Sequence, residues 1–458
     1  MGPEVPWRPE GRRFLVAGAR VAGIASAEAL LRRGARVTVL DRSAGDWVDR
    51  LTAAGAEALV SDEPPKDLLD RVDELVVSPG FPPHHPLAVA ATSQGLDVYS
   101  EPELAWRLRP ADAAPWLAVT GTNGKTTATT MLVSILRAAG LRTEALGNIG
   151  VPLVDAVTSD LDVLAVELSS FQLHWSSTLA PQAGAWLNLA DDHLEWHGDF
   201  DAYAGAKKAV WRGPVAVGNR DDAYVARELR RHAGRAIGFT LDAPRQGDLG
   251  VVEHMLIDRM ADGDAHEIAV LDDVRPSGPH NVANALAAAA LALAHGVDRE
   301  AVRAGLSGYT PEPHRNAPVA TVGGVLYVDD SKATNPHAAY ASLRSYPKVV
   351  WVAGGQLKGV DVDDLVAAVA DRLSGAVLIG IDRGELARAL ARHAPDVPVV
   401  DVPRTDDGAM AEAVAAAARL AVPGDTVLLA PAAASLDMYA SYAARGAAFE
   451  TAVRGLGQ

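Results

Sequence analysis

Short apolar runs recur along the chain, separated by longer stretches with helical spacing. The first, Phe14-Leu-Val-Ala17, is continuous enough to predict a strand buried on both faces. Gly18-Ala-Arg-Val-Ala-Gly23 and a helical stretch to Arg33 follow, closed by Gly34. A second strand over 36–40 then ends at Asp41, and a third apolar run over 74–77 ends in Ser78-Pro79-Gly80. Strand, turn, helix and strand in that order predict a parallel α/β layer. The Pro-rich residues 1–11 read as loose, and 109–115 as a linker. A second unit opens with a strand over 116–119, a glycine-containing turn, and a helix to Ala139 stopped by Gly140. Strand-like runs return at 163–166 and 185–189, and an Ala-rich helix follows Asn281. The turn Thr310-Pro-Glu-Pro313 closes this unit. A third unit alternates strands over 325–328, 349–352, 376–379 and 426–429 with helical runs. No short repeat of fixed period is visible. The expectation is an α/β protein of three domains, over 1–111, 112–311 and 312–458.

Composition narrows the function. The chain has 458 residues, of which 49% are hydrophobic, and a net charge of −16. This is a globular composition, and a broad basic surface for nucleic acid is not expected. With no cysteine, disulfides, thiolate metal sites and a thiol nucleophile are excluded. The longest strongly apolar stretch, residues 285–294, falls well short of the ~20 needed to span a bilayer. The N-terminus lacks the apolar core of a secretory signal. A cytoplasmic monomer without a membrane or nucleic-acid partner is expected. Any anionic ligand must be held by local positive groups, because the overall field repels it.

The strongest chemical signal is Thr120-Gly121-Thr122-Asn123-Gly124-Lys125-Thr126-Thr127. A glycine turn between strand and helix aims backbone N–H groups at phosphate, and the helix N-terminus adds about half a positive charge. Lys125 would reach the β/γ-phosphates and Thr126 would ligate Mg²⁺. The strict eight-residue P-loop wants glycine where Val119 stands. A plain strand–helix turn would not account for a lysine inside the glycine loop. Glu167 follows the run over 163–166 and His193 lies just beyond the run over 185–189, and ligands gather at the carboxyl ends of parallel strands. Asn219-Arg-Asp-Asp222 only approaches a guanine-binding motif, which favours ATP. The central unit is thus expected to be a P-loop ATPase domain with a mostly parallel sheet. Rossmann-like domains are expected on either side.

In the first unit Arg20 replaces the middle glycine of a dinucleotide fingerprint. That glycine lets the backbone approach a pyrophosphate, so the change favours a sugar nucleotide over NAD. In the third unit Asp329–Asn335, Gly354–Gly359 and Pro431–Ser435 follow three strands. Each brings a cationic or hydroxyl group, which together suggests a pocket for a small anion. ATP-driven joining accounts for the three units better than a timer GTPase or a simple kinase.

These residues resemble the Mur ligases of bacterial cell-wall synthesis. The phosphate loop, Glu167-Leu-Ser-Ser170, Asn188 with Asp192-His193, His314-Arg315 and Asp330-Ser-Lys332 match in order and spacing. Within the family, Asp330-Ser-Lys-Ala-Thr-Asn335, Gly147-Asn-Ile-Gly150 and Pro431-Ala-Ala-Ala-Ser-Leu-Asp437 resemble the branch that adds D-glutamate. The Asp-Asn-Pro-Arg motif of the diamino-acid-adding branch is absent, and Ala433 replaces a common cysteine.

The resemblance implies ATP-dependent joining of D-glutamate to UDP-N-acetylmuramoyl-L-alanine through an acyl phosphate, giving ADP and phosphate. It implies that Gly121, Thr122, Asn123, Gly124, Lys125, Thr126 and Thr127 bind ATP with Asn284, Arg315 and Asp330. Two Mg²⁺ are implied, held by Thr126, Glu167, His193 and Lys207, the last as a carbamate, with Lys208 as the rival position. Gly18, Arg20, Asp41, Arg42, Ser78, Gly80, Asn148 and His193 would bind the UDP substrate. Lys332 would support catalysis, and Thr334, Lys358, Ser435 and Tyr442 would bind D-glutamate. Alternatives are a related ligase adding L-glutamate or another amino acid, a folate-tailing ligase, an NAD-dependent oxidoreductase, and a nucleotide-dependent scaffold with a dead site.

Overall fold

The computed structural model describes residues 7–63, 65–261, 263–311 and 313–456. The first sheet comprises β1 (Arg13–Ala17), β2 (Arg36–Asp41), β3 (Glu57–Val60), β4 (Glu74–Val77) and β5 (Asp97–Ser100). Its order is β3-β2-β1-β4-β5, parallel throughout. Phe14, Leu15, Val16 and Ala17 are fully buried, as a strand covered on both faces requires. Gly23 begins the packing of the following helix, Val21–Leu31: a Cβ there would lie 1.8 Å from the Gly18 carbonyl oxygen. Residues 1–6 of the segment expected to be loose lie outside the described residues. The rest of that segment corrects the expectation. Trp7 packs edge-on against Phe14 at 6.1 Å and donates from Nε1 to Glu74 Oε1 at 2.9 Å. An aromatic ring with a buried acceptor ties the segment down.

The second sheet runs through β6 (Trp116–Thr120), β7 (Ala145–Gly147), β8 (Leu164–Glu167), β9 (Ala183–Trp186), β10 (Val215–Asn219) and β11 (Arg235–Phe239). It continues through β12 (Leu249–Val252), β13 (Met255–Asp258) and β14 (His266–Val270), in the order β14-β13-β12-β11-β10-β9-β6-β8-β7. It is parallel except for the β12–β13–β14 meander. The expected strand over 185–189 ends early, at Trp186, because Asn188 turns its side chain to the phosphate loop. The third sheet has β15 (Ala317–Val322), β16 (Val325–Asp329), β17 (Val349–Gly354), β18 (Leu373–Ile379), β19 (Val399–Asp401) and β20 (Thr426–Leu429). Its order is β15-β16-β20-β17-β18-β19, with only β15 antiparallel. All six residues of β17 are buried, including Trp351, and each such large apolar side chain contributes roughly 1.5–3 kcal/mol.

The chain divides into two compact units. One holds the residues up to Asp273 with Ala283–Gly308, and the other holds Val274–Val282 with the chain from Tyr309 onward. Both the first and second sheets belong to the first unit. There they are joined by the helix Glu101–Leu108. The buried Glu103 carboxylate accepts the N–H groups of Ser177, Thr178 and Leu179 at 3.0–3.1 Å, and the Thr178 hydroxyl at 2.6 Å. Arg107 Nε donates to the same carboxylate at 3.0 Å. Glu101 Oε1 accepts the Val154 N–H at 2.7 Å. Among the described residues, no helix is long and apolar enough to cross a membrane.

Candidate active site

Strand register assembles the first half of the site. Val119 of β6 and Gly147 of β7 both pair with Glu167 of β8, and Thr120 pairs with Trp186 of β9. The loop 121–127, Asn148, Glu167 and Asn188 therefore emerge side by side at carboxyl strand ends.

Gly124 starts the helix Lys125–Ala138 with φ 81°, a left-handed conformation that glycine adopts without steric cost. A Cβ there would approach Asn284 Oδ1 to 2.4 Å, so Asn284 packs directly on the loop. Asn188 clamps the same turn: its Oδ1 accepts the Asn123 N–H at 2.9 Å and its Nδ2 donates to Asn123 O at 3.1 Å. The hydroxyls of Thr122 and Tyr203 share a hydrogen bond of 2.9 Å. Thr127 is buried in the first helical turn. Lys125 Nζ donates to Gly121 O and Thr122 O, both at 3.0 Å.

A line of hydrogen bonds crosses the strand ends. The Thr126 hydroxyl donates to Glu167 Oε2 at 2.7 Å, and Asn148 Nδ2 donates to Glu167 Oε1 at 2.7 Å. Thr126 and Glu167 are both buried. This pair of hard oxygen donors beside a phosphate loop fits Mg²⁺.

Asp199 caps the helix Phe200–Lys208 by accepting the Ala202 N–H at 2.8 Å. The helix turns Lys207 inward and Lys208 outward. Lys207 is 2% exposed and donates from Nζ to Gly121 O at 2.7 Å. Burial, with the nearby Lys125 charge, holds its pKa well below the usual ammonium range, against Asp192 and Glu167. Lys208 instead pairs with Glu228 at 2.7 Å. His193, with φ 55°, begins the short helix Leu194–His197 and packs its ring 4.7 Å from Phe171. Desolvation lowers its pKa, as do Lys207 and Lys125, while Asp192 and Glu195 oppose the shift.

Gly18, Arg20, Asp41, Arg42, Ser78 and Gly80 all line one cavity of about 1060 Å³ beside the first sheet. Asp41 shapes its rim: Oδ2 accepts the Ala19 N–H at 2.8 Å and Oδ1 the Ser43 N–H at 3.0 Å. Asn148 and His193 do not line this cavity and stand by the phosphate loop instead.

The second unit carries the remaining expected residues. His314, φ 63°, lies 2.6 Å through Nδ1 from Asp329 Oδ2, and Arg315 follows it. Burial pushes the Asp330 carboxyl up to about 6, and its Oδ1 accepts the Asn316 N–H at 3.1 Å. Lys332 Nζ sits 4.0 Å from the centre of the Tyr442 ring. The Thr334 N–H donates to Lys332 O at 2.8 Å. Ser435 is buried, whereas Lys358 is exposed with φ 55°.

Sequence reasoning assigned no role to Tyr203 or Arg445. Tyr203 lies four residues before Lys207 on one helix, a spacing that places both on the same face. Arg445 sits in an Ala-rich helix, where a single sequence offers no signal for it.

A phosphate loop at the carboxyl edge of a parallel sheet, with Lys125, Thr126 and an acidic strand end, defines a nucleotide-binding α/β protein. Residues 119–292 match the Mur ligase middle domain, and 314–433 match the Mur ligase glutamate ligase domain. A UDP-N-acetylmuramoylalanine–D-glutamate ligase of Thermobifida fusca is 55% identical, over 97% of this chain and 99% of the relative. One of Streptomyces coelicolor is 52% identical, over 99% of this chain and 100% of the relative. In fold, the chain is similar to a UDP-N-acetylmuramate–alanine ligase of Thermotoga maritima, with TM-score 0.59 and 17% identity. That match covers 97% of this chain and 99% of the other. The chain belongs to the Mur ligase family. It is an ATP-dependent ligase of peptidoglycan synthesis, and the family uses ATP with Mg²⁺ on small-molecule substrates.

Proposed function

We propose that the enzyme joins D-glutamate to the L-alanine carboxylate of UDP-N-acetylmuramoyl-L-alanine. Residues 1–111 would bind the acceptor, 112–311 ATP and two Mg²⁺, and 312–458 the amino acid. The observation that carries this is the Asn148–Glu167–Thr126 line, in which one carboxylate joins Asn148, which would face the acceptor, to the phosphate loop. The names of relatives above 50% identity over nearly the whole chain support the choice of substrates. We infer that the enzyme works as a monomer in the cytoplasm, where nucleotide-linked sugars and ATP are found.

A carboxylate oxygen attacks the γ-phosphorus and ADP leaves, forming an acyl phosphate. The amine of D-glutamate then attacks the acyl carbon. The tetrahedral intermediate expels phosphate and the amine loses a proton. Lys125 and the N–H groups of the loop bind the transferring phosphoryl group. Thr126, Glu167, His193 and Lys207, the last as a carbamate, would hold Mg²⁺, which when bound would supply charge neutralisation to the phosphates. Carbamylation needs a neutral amine, and a buried Lys207 with a depressed pKa meets that need. Asn284 would contact adenosine, while Arg315 and Asp330 serve the γ-phosphate and ribose. Lys332 would support the ATP and amino-acid site. Gly18, Arg20, Asp41, Arg42, Ser78 and Gly80 would hold the uridine diphosphate. Thr334, Lys358, Ser435 and Tyr442 would bind the glutamate carboxylates.

The test is phosphate release from ATP and Mg²⁺ with UDP-N-acetylmuramoyl-L-alanine, comparing D-glutamate, L-glutamate and no amino acid. Release is expected only with D-glutamate, one amide per phosphate. Release with L-glutamate alone would transfer the specificity. Release with neither would reject the acceptor.

A further inference from the structure

Arg445 is 1% exposed, yet its partners are loop oxygens. Nε donates to Ser331 Oγ at 3.0 Å and Nη2 to Ser331 O at 2.9 Å. Nη1 donates to Ala433 O at 3.1 Å and to Gly354 O at 3.4 Å. These oxygens belong to the ends of β16, β20 and β17, which are neighbours in the sheet. Every tie falls close to a group proposed to bind substrate. Asp330 and Lys332 flank Ser331, Ser435 follows Ala433 by two residues, and Lys358 follows Gly354 by four. The Ser331 hydroxyl also donates to Tyr442 O at 2.8 Å, and the Tyr442 ring carries Lys332.

Burying a cation is costly, and burial lowers the Arg445 pKa to about 10, which leaves it charged at neutral pH. The planar guanidinium donates in several fixed directions at once, which a lysine ammonium on a flexible stem does not reproduce.

We propose that Arg445 is a positioning residue for amino-acid binding: one guanidinium sets the mutual spacing of the three loops that carry Lys332, Ser435 and Lys358. This rests on the site placement proposed above. It acts through those loops and does not touch the substrate.

The test is steady-state kinetics of Arg445→Lys and Ser331→Ala, with Lys358→Ala measured alongside and melting temperatures recorded. Arg445→Lys should raise the KM for D-glutamate about 10- to 100-fold, the scale of a misplaced binding group. The KM for the UDP-linked acceptor should stay within about twofold. Ser331→Ala, which removes one of the four Arg445 bonds together with the Ser331–Tyr442 bond, should raise the D-glutamate KM less and in the same direction. A lower melting temperature with an unchanged D-glutamate KM in either variant overturns the positioning role. Should Arg445→Lys fail to fold, Ser331→Ala decides by the same criterion. If Lys358→Ala also leaves that KM unchanged, the site placement falls, and this proposal with it.

Discussion

Glu101→Gln tests the electrostatics of the joint between the first two sheets. Glu101 is 2% exposed, and burial is the largest cause pushing its carboxyl up to about 7. The group therefore prefers to be protonated in the folded chain. Between about pH 4.5 and 7 the unfolded chain has released this proton and the folded chain still holds it, so stability falls as pH rises. The separation of the two values corresponds to about 3 kcal/mol, present below pH 4.5 and absent above 7. Glutamine keeps an oxygen for the Val154 N–H, at 2.7 Å in the wild type, and carries no titrating proton. Urea unfolding followed by tryptophan fluorescence at pH 5 and pH 8 gives the stability difference between variant and wild type. That difference should move in favour of glutamine by most of the ~3 kcal/mol on going to pH 8. A difference that is flat with pH refutes the argument. Movement against glutamine would mean that the carboxylate is ionised and stabilising.

Three further outcomes are expected. Lys125→Ala should cut ligation about 10²–10³-fold, the usual cost of removing one charge-stabilising donor, and near-normal phosphate release would reject the phosphate-loop assignment. Lys207→Ala should be inactive but folded by circular dichroism, while Lys208→Ala, losing only the half-exposed Glu228 pair, should remain active; the reverse result would move the carbamate by one residue. Gly124→Ala should cost about 1–2 kcal/mol from the left-handed backbone alone. Its Cβ would also push Asn284 away, so the KM for ATP should rise, and an unchanged KM with lowered stability would separate Asn284 from ATP binding.

Parallel strands such as β1, β4, β6, β8 and β17 were legible because each is an apolar run followed by glycine or a polar residue, whereas β3, β5, β7, β10, β11 and β19, parallel as well, were not read. Glu167 stood out for the same reason: it ends such a run, and parallel register then sets it beside the phosphate loop. The antiparallel meander β12–β14 was not read either: it lies at the sheet edge, and its last strand, His266–Val270, opens on two polar residues. The tying down of Trp7 depends on Glu74, 67 positions away, and no local pattern announces it. Arg445 was missed on similar grounds. A buried arginine is recognised by the oxygens around it, and those come from three distant loops.

The grip of Glu103 on residues 177–179 makes the first-sheet cavity and the phosphate loop parts of one body. Under the proposed placement of the acceptor, the interval from its anchored end to the phosphate loop would be set by the protein. The substrate would span it with its own covalent skeleton, and the protein would work as a gauge. An acceptor one residue too short would leave its carboxylate out of reach, and one too long would carry it past, whatever the strength of binding at the nucleotide end.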